Sequence, residues 1–194
     1  PTSDALVVLD GTRWSAAEAS PTGDDLRFVD ADGTTELAYE IDTWDPTGRS
    51  FFWVRVPGID ASDGDFVWLY YGHAGAAAGE QRTGVWSAAY AAVWHLGDFR
   101  DSTSNANDAV PTNVAADTGM IGGGQRFDLA LPSYAVAADA PSFRVTSTVT
   151  LSGWARQSNV PLSWDWRAML TRETGTTVDD ELWLGFYNGG YLTI

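Results

Sequence analysis

The chain has no cysteine and no lysine, only two histidines, and no long apolar run. Without cysteine there is no disulfide framework, thiolate metal site or cysteine nucleophile. Every basic side chain is therefore an arginine, and the 11 arginines face 26 acidic residues, for a formal net charge of −15. A surface of that sign repels phosphate backbones and anionic lipid, so nucleic acid is not an expected partner. No stretch approaches the ~18 apolar residues a spanning helix needs, so no membrane insertion is expected within this chain. Neither histidine has a second histidine or a Gly-x-Ser-x-Gly setting beside it, which leaves zinc and Ser-His-Asp chemistry unsupported. The glycines at 119–124 lack a following Lys-Ser/Thr, so they form no phosphate loop. The first residue is Pro1 and the last, Ile194, falls within an apparent strand, which reads as a piece of something longer.

What is abundant is aromatic: ten Trp, seven Tyr and eight Phe in 194 residues. They fall in short alternating runs punctuated by Gly, Asp and Pro, the pattern of half-buried strands joined by turns. Strands are expected at Ala5–Asp10, Leu26–Asp30, Leu37–Trp44, Phe51–Val56 and Phe66–Tyr71. The second half adds Ala92–Leu96, Gln125–Phe127, Tyr134–Ala137, Val145–Arg156, Ala168–Arg172, Glu181–Tyr187 and Tyr191–Ile194. Asp32-Gly33 and Asp63-Gly64 supply tight hairpin turns, and Pro46 stops a central strand. The small-residue run Ala74–Gly79 reads as a connector, with a helical turn near Val85–Tyr90. The expectation is an all-β chain of two β-sandwich modules, residues 1–85 and 86–194.

The stretch Asp24–Ala76, DDLRFVDADGTTELAYEIDTWDPTGRSFFWVRVPGIDASDGDFVWLYYGHAGA, resembles the core of domain-of-unknown-function family 2341. It carries that family's DLRF-D-DG-x-L-YEI hairpin, its WV-VP strand and its YYGN strand end, with His73 in the last place. Further on, AAVWHLGDFRDSTSNANDAV, GMIGGGQRFD and VTLSGWAR resemble a LamG-type domain. The second module is thereby expected to be a concanavalin A-like jelly roll, apparently incomplete. The segment FDLALPSYAV departs from the usual Gly and Asp pair. The resemblance implies an extracellular or cell-surface binding role, with a polysaccharide or matrix component as partner and no catalytic apparatus.

Strand alternation suggests where such a partner would sit. Trp154 and Arg156 share one face of their expected strand, and Trp183 and Tyr187 share one face of theirs. Large rigid rings bind flat apolar sugar faces at little entropic cost, so these four are the candidate ligand-binding residues. The competing reading is that both faces are covered and the rings are core, and it applies more strongly still to Trp53 and Trp68.

The stretch Asp98–Gly124 is long, polar and without periodicity, as functional loops often are. Calcium takes six to eight oxygens at flexible spacing, and this loop can supply several. The LamG-type resemblance implies Asp101, Asn105, Asn107 and Asp108 as possible calcium ligands, against a solvated loop whose side chains cap turns.

One catalytic alternative remains. Glu40-Ile41-Asp42-Thr43-Trp44-Asp45 mimics the E-x-D-x-x-E pattern of laminarinase-type glycoside hydrolases, whose retaining chemistry needs two carboxyls about 5–5.5 Å apart. The third acid is Asp rather than Glu and precedes a proline, and the motif falls in the hairpin of the uncharacterised family. A third reading is a structural or adhesive module with no sugar ligand.

Overall fold

We analysed a computed structural model, which describes residues 2–12, 14–61, 64–128, 130–145, 147–158, 166–173, 180–187 and 191–193. The chain is all-β, with antiparallel pairing throughout the described ladders. It divides into two compact units, Pro1–Arg144 and Val145–Ile194. The expected boundary at residue 85 falls inside the first.

The first unit is built on two three-stranded sheets. One has the order β1 (Ser3–Leu9), β5 (Ser50–Val56), β4 (Tyr39–Thr43). The other runs β3 (Glu36–Leu37), β2 (Arg27–Asp30), β6 (Val67–Tyr70). Their facing side chains are Leu26, Phe28, Leu37, Tyr39, Phe52, Val54 and Val56, one buried cluster with Trp14, Ile41, Trp44, Val67 and Leu69 packed around it. The alternation that predicted strands is what makes this core. In β5, Ser50, Phe52, Val54 and Val56 are buried while Phe51, Trp53 and Arg55 face outward. Phe28 meets Tyr39 at 5.2 Å and Phe52 at 5.6 Å between ring centroids, distances at which tilted rings attract beyond their burial.

The expected strand Leu37–Trp44 is broken between β3 and β4, so the chain passes there from one sheet to the other. A short helix, α1 (Arg82–Val85), lies just before the expected helical turn at Val85–Tyr90 and overlaps it only at Val85. Residues 109–137 hold two two-stranded ladders. Strand β7 (Ala109–Thr112) pairs β10 (Tyr134–Ala137), and β8 (Val114–Thr118) pairs β9 (Gly123–Phe127). Strands β7 and β8 lie in the polar stretch where no strand was expected, and no strand forms at Ala92–Leu96.

The second unit contains one sheet, in the order β11 (Trp166–Glu173), β12 (Asp180–Tyr187), β13 (Tyr191–Thr193). Over Val145–Arg156 the described residues form no strand, contrary to expectation. The run has alternation, but strand propensity expresses pairing with a neighbour, and no ladder engages this segment.

Phe52 is fully buried between the sheets. Truncation to alanine is expected to cost about 3–5 kcal/mol, read as a lowered urea midpoint with the slope unchanged.

Candidate functional site

The outer face of the β1–β5–β4 sheet carries the most elaborate polar arrangement in the first unit. Strand alternation in β4 sends Tyr39 and Ile41 into the core and leaves Glu40 and Asp42 on the opposite face. Trp53 stands directly across from Glu40 in the ladder. Residues 80–109 cover this face. Gln81 donates its amide to the Tyr39 carbonyl at 2.9 Å, and Glu80 accepts the Ile41 amide at 3.0 Å.

Glu40 is only 3 % exposed. A carboxylate so buried is tolerable only when donors replace the lost water. Four groups do so. The Ser102 hydroxyl donates to Oε1 at 2.5 Å, and the Trp86 indole donates to Oε2 at 2.8 Å. His95 Nε2 lies 3.1 Å from Oε2, and Arg82 Nε lies 3.2 Å from Oε1. The Arg82 contact is an ion pair whose angle falls short of a hydrogen bond. The other imidazole nitrogen, Nδ1, lies 3.1 Å from Asp42 Oδ2, which also accepts the Trp53 indole at 3.1 Å. Trp53 stacks on the imidazole at 5.7 Å with 21° between planes.

With a carboxylate at each nitrogen, His95 must donate from both, and so is an imidazolium. Burial alone would lower its pKa, but hydrogen bonds to Asp42 and Glu40, with their charges, raise it to about 9. Burial likewise pushes Glu40 upward, but the His95, Ser102 and Trp86 donors bring it below its ordinary value. The next residue, Leu96, has φ of 62°. That left-handed conformation is costly for a branched side chain, and its carbonyl is fixed by Gln125 Nε2 at 3.0 Å. The glycines at 119–124 find their use here. Gly122, at the β8–β9 turn with φ of 54°, comes so close to Asp42 and Thr43 that any side chain would run into them.

The acidic loop supports the same arrangement. Asp101 Oδ1 accepts the Val93 and Thr103 amides at 3.0 and 2.9 Å, and Oδ2 accepts the Thr103 hydroxyl and the Asn107 amide at 2.8 and 2.9 Å. Asp108 accepts the Asp101 amide at 2.8 Å. Asn105 donates to the carbonyls of Tyr90 and Ala91, and Asn107 donates to the Ala91 carbonyl and the Ser142 hydroxyl. Among the described residues no group of three or more His, Asp or Glu side chains is placed to hold a metal ion. The four residues singled out for calcium are brought together, and their hydrogen bonds knot the loop that presents Ser102 to Glu40.

Of the E-x-D-x-x-E mimic, Glu40 and Asp42 clamp one histidine. Asp45 turns back to accept the Thr47 amide and hydroxyl at 2.9 and 2.8 Å, so the three acids do not converge.

The four candidate ligand-binding residues lie in the second unit. Trp154 is 72 % exposed and Arg156 is also exposed, both on irregular chain. Trp183 is half-buried on β12, and the side chain of Tyr187 lies outside the described residues. A different aromatic face emerges on β6. There Val67 and Leu69 pack on the core, while Phe66, Trp68 and Tyr70 stand about half exposed. Phe66 and Trp68 meet edge to face at 5.2 Å. The sequence favours a core role for Trp68; in the structure its ring and those of Phe66 and Tyr70 remain about half exposed.

These features define an all-β sandwich whose outer sheet face is sealed by a buried carboxylate–imidazolium cluster. Residues 22–109 match the family model described as Domain of unknown function (DUF2341). That span contains Glu40 and every donor to it. It also takes in Ala91–Ala109, the stretch that resembles the start of a LamG-type domain. Comparison with curated proteins found no match, and comparison with solved structures found none.

Two outcomes follow from the cluster. Because His95 is raised from 6.5 to about 9, its contribution to stability is fully present below pH 6.5 and is lost as pH rises through about 9. Glu40, lowered from 4.5, contributes above pH 4.5 and ceases to as pH falls further. The urea midpoint of the native chain is expected to decline between pH 7 and pH 10, and His95→Gln to flatten that decline; a level native profile would refute the assignment. Ser102→Ala, which removes the shortest donor to a buried carboxylate, is expected to cost about 1–3 kcal/mol in the same assay.

Proposed function

We propose that this chain is a non-catalytic, extracellular carbohydrate-binding module of a larger surface or secreted protein. The observation that carries the reading is the row of Phe66, Trp68 and Tyr70, three half-exposed rings, two on strand β6 and one immediately before it, on a well-packed sandwich. Large exposed apolar surface on a soluble domain usually marks a contact site, and flat rings with a polar edge suit sugar faces. Trp154, more exposed still, supplies a second aromatic contact in the other unit. The LamG-type resemblance of residues 86–194 supports the same role and the extracellular location. The membrane has no part in it through helices: none among the described residues is long and apolar enough to cross one.

A second reading, an adhesive or structural module without a sugar ligand, draws on one observation. In the β7–β10 ladder Val110 stands directly across from Val136, and both are exposed. A face of that kind suits protein contact.

The test is a titration of intrinsic tryptophan fluorescence with soluble glycans. Binding is expected to shift the emission, and Trp68→Ala or Trp154→Ala to weaken it by roughly fivefold or more, a loss of about 1 kcal/mol. A broad glycan array without signal would favour the adhesive reading. Calcium is decided by the same protein with and without chelator. A rise in Tm with the ion would mean that the loop around Asp101 exchanges amide donors for a cation; an unchanged Tm would leave it held by its own hydrogen bonds.

A further inference from the structure

Strand β6 is the edge of its sheet, and its ring row does not end on bare surface. Across the ladder from Tyr70 stands Arg27, and across from Trp68 stands Val29. The Arg27 guanidinium is wholly committed. Nε pairs with Glu36 at 3.2 Å, Nη1 donates to the carbonyls of Asp24 and Leu26, and Nη2 donates to that of Ala77. Among the described residues, this face therefore offers a ligand apolar rings and no free guanidinium.

At the Tyr70 end the row opens into a cleft of about 270 Å³, lined by Asp25, Arg27, Tyr70, Tyr71, His73 and Ala76. A second cleft of about 450 Å³ shares Asp25, His73 and Ala76 with it and extends past Glu18, Ser20 and Asp24. The walls are tied together by Asp25, whose carboxylate accepts the Ser20 amide at 2.8 Å and the Gly72 amide at 2.7 Å. Burial would raise its pKa, but those amides hold it below the ordinary value, so it stays an anion. Gly72, at φ of 90° and with the Glu18 carbonyl 3.4 Å from where a Cβ would stand, lets the chain turn there. The exposed carboxylates of Glu18 and Asp24 in the second cleft accept hydrogen bonds from hydroxyls and repel other anions.

We infer that the ring row and these clefts form one continuous site for an extended, uncharged polysaccharide. Its sugar faces stack on Phe66, Trp68 and Tyr70, and the units beyond Tyr70 place their hydroxyls among the acceptors around His73. The row from Phe66 to Tyr70 covers about 13 Å at the rise of a strand, so the ligand is a chain rather than a single sugar. A second copy of this protein is disfavoured as occupant because each carries a net charge of −15. The inference rests on the glycan-binding reading and adds to it the site, the ligand's charge and its length.

The experiment is calorimetric titration of the intact chain with neutral gluco-, xylo- and manno-oligosaccharides of increasing length, and with polygalacturonate as the anionic counterpart. At least one neutral series is expected to bind more tightly as the chain lengthens, with polygalacturonate weaker by roughly tenfold or more. Trp68→Ala is expected to weaken every length by about tenfold, and His73→Ala only the longer oligomers, by about threefold. Circular dichroism verifies that both variants are folded. Wild-type protein that binds no glycan overturns the inference together with the function it rests on. Glycan binding lost in Trp154→Ala but unchanged in Trp68→Ala and His73→Ala overturns the inference alone, as does equal affinity for polygalacturonate or affinity independent of length. Concentration-dependent dimerisation abolished by Trp68→Ala would assign the face to a second copy instead.

Discussion

A carboxylate taken out of water must be answered by donors, and in this protein that requirement decides how the first unit is assembled. Glu40 sits on the outward side of a sheet, where a sandwich would ordinarily meet solvent. Its burial becomes possible only because residues 82–102 return with a guanidinium, an indole, an imidazolium and a hydroxyl. Pairing of this kind adds little net stability compared with apolar packing, but breaking it leaves an uncompensated charge. It therefore specifies one position for the covering segment and penalises the others. The span matched by the family model, 22–109, holds Glu40, strands β4 and β5 and every donor to the carboxylate, so the buried charge and its cover fall within one matched stretch.

Much of the sandwich was legible because alternation directly encodes burial. The pattern of β5 and β6 gives their core and outer residues without further information. Alternation puts Glu40 and Asp42 on one strand face, yet two carboxylates two residues apart serve a glycosidase and a histidine clamp equally well. The partner that distinguishes them, His95, lies 53 residues downstream of Asp42 in a segment with no regular structure of its own, so no local pattern announces the pairing. The acidic loop is ambiguous for a related reason: Asp and Asn side chains that could surround a cation also satisfy backbone amides, and composition does not tell the two apart. The strand expected over Val145–Arg156 shows the limit of propensity, since alternation without a neighbouring edge to pair with produces no ladder. Trp68 shows the converse: an alternating strand yields an aromatic face, but whether that face is covered depends on the path of the chain elsewhere.

The absence of lysine takes on meaning in the same light. Arginines here are used as forks that fasten carbonyls. Arg27 reaches three backbone oxygens, and Arg55 donates to Gly84 at 3.1 Å. A guanidinium suits this task because its planar donors are preorganised and remain charged. Much of the small positive complement is thereby spent on internal architecture. The exposed arginines, Arg49, Arg100, Arg126, Arg144 and Arg156 among them, are outnumbered by carboxylates, and a net field that excludes anions while tolerating flat neutral surfaces is itself a form of selectivity.

Strand β1 stands apart from this assembly. It lies outside the matched span and is bound along one side only, to β5, through seven consecutive residue pairs. The core sheet thus has a lateral slot, filled by an extended segment that the stretch from Asp10 to Leu26 separates from the nearest strand. Slots of this kind accept a strand by backbone pairing rather than by side-chain identity. Without β1 the edge of β5 would stand open as a row of unpaired backbone donors and acceptors, which this pairing keeps covered.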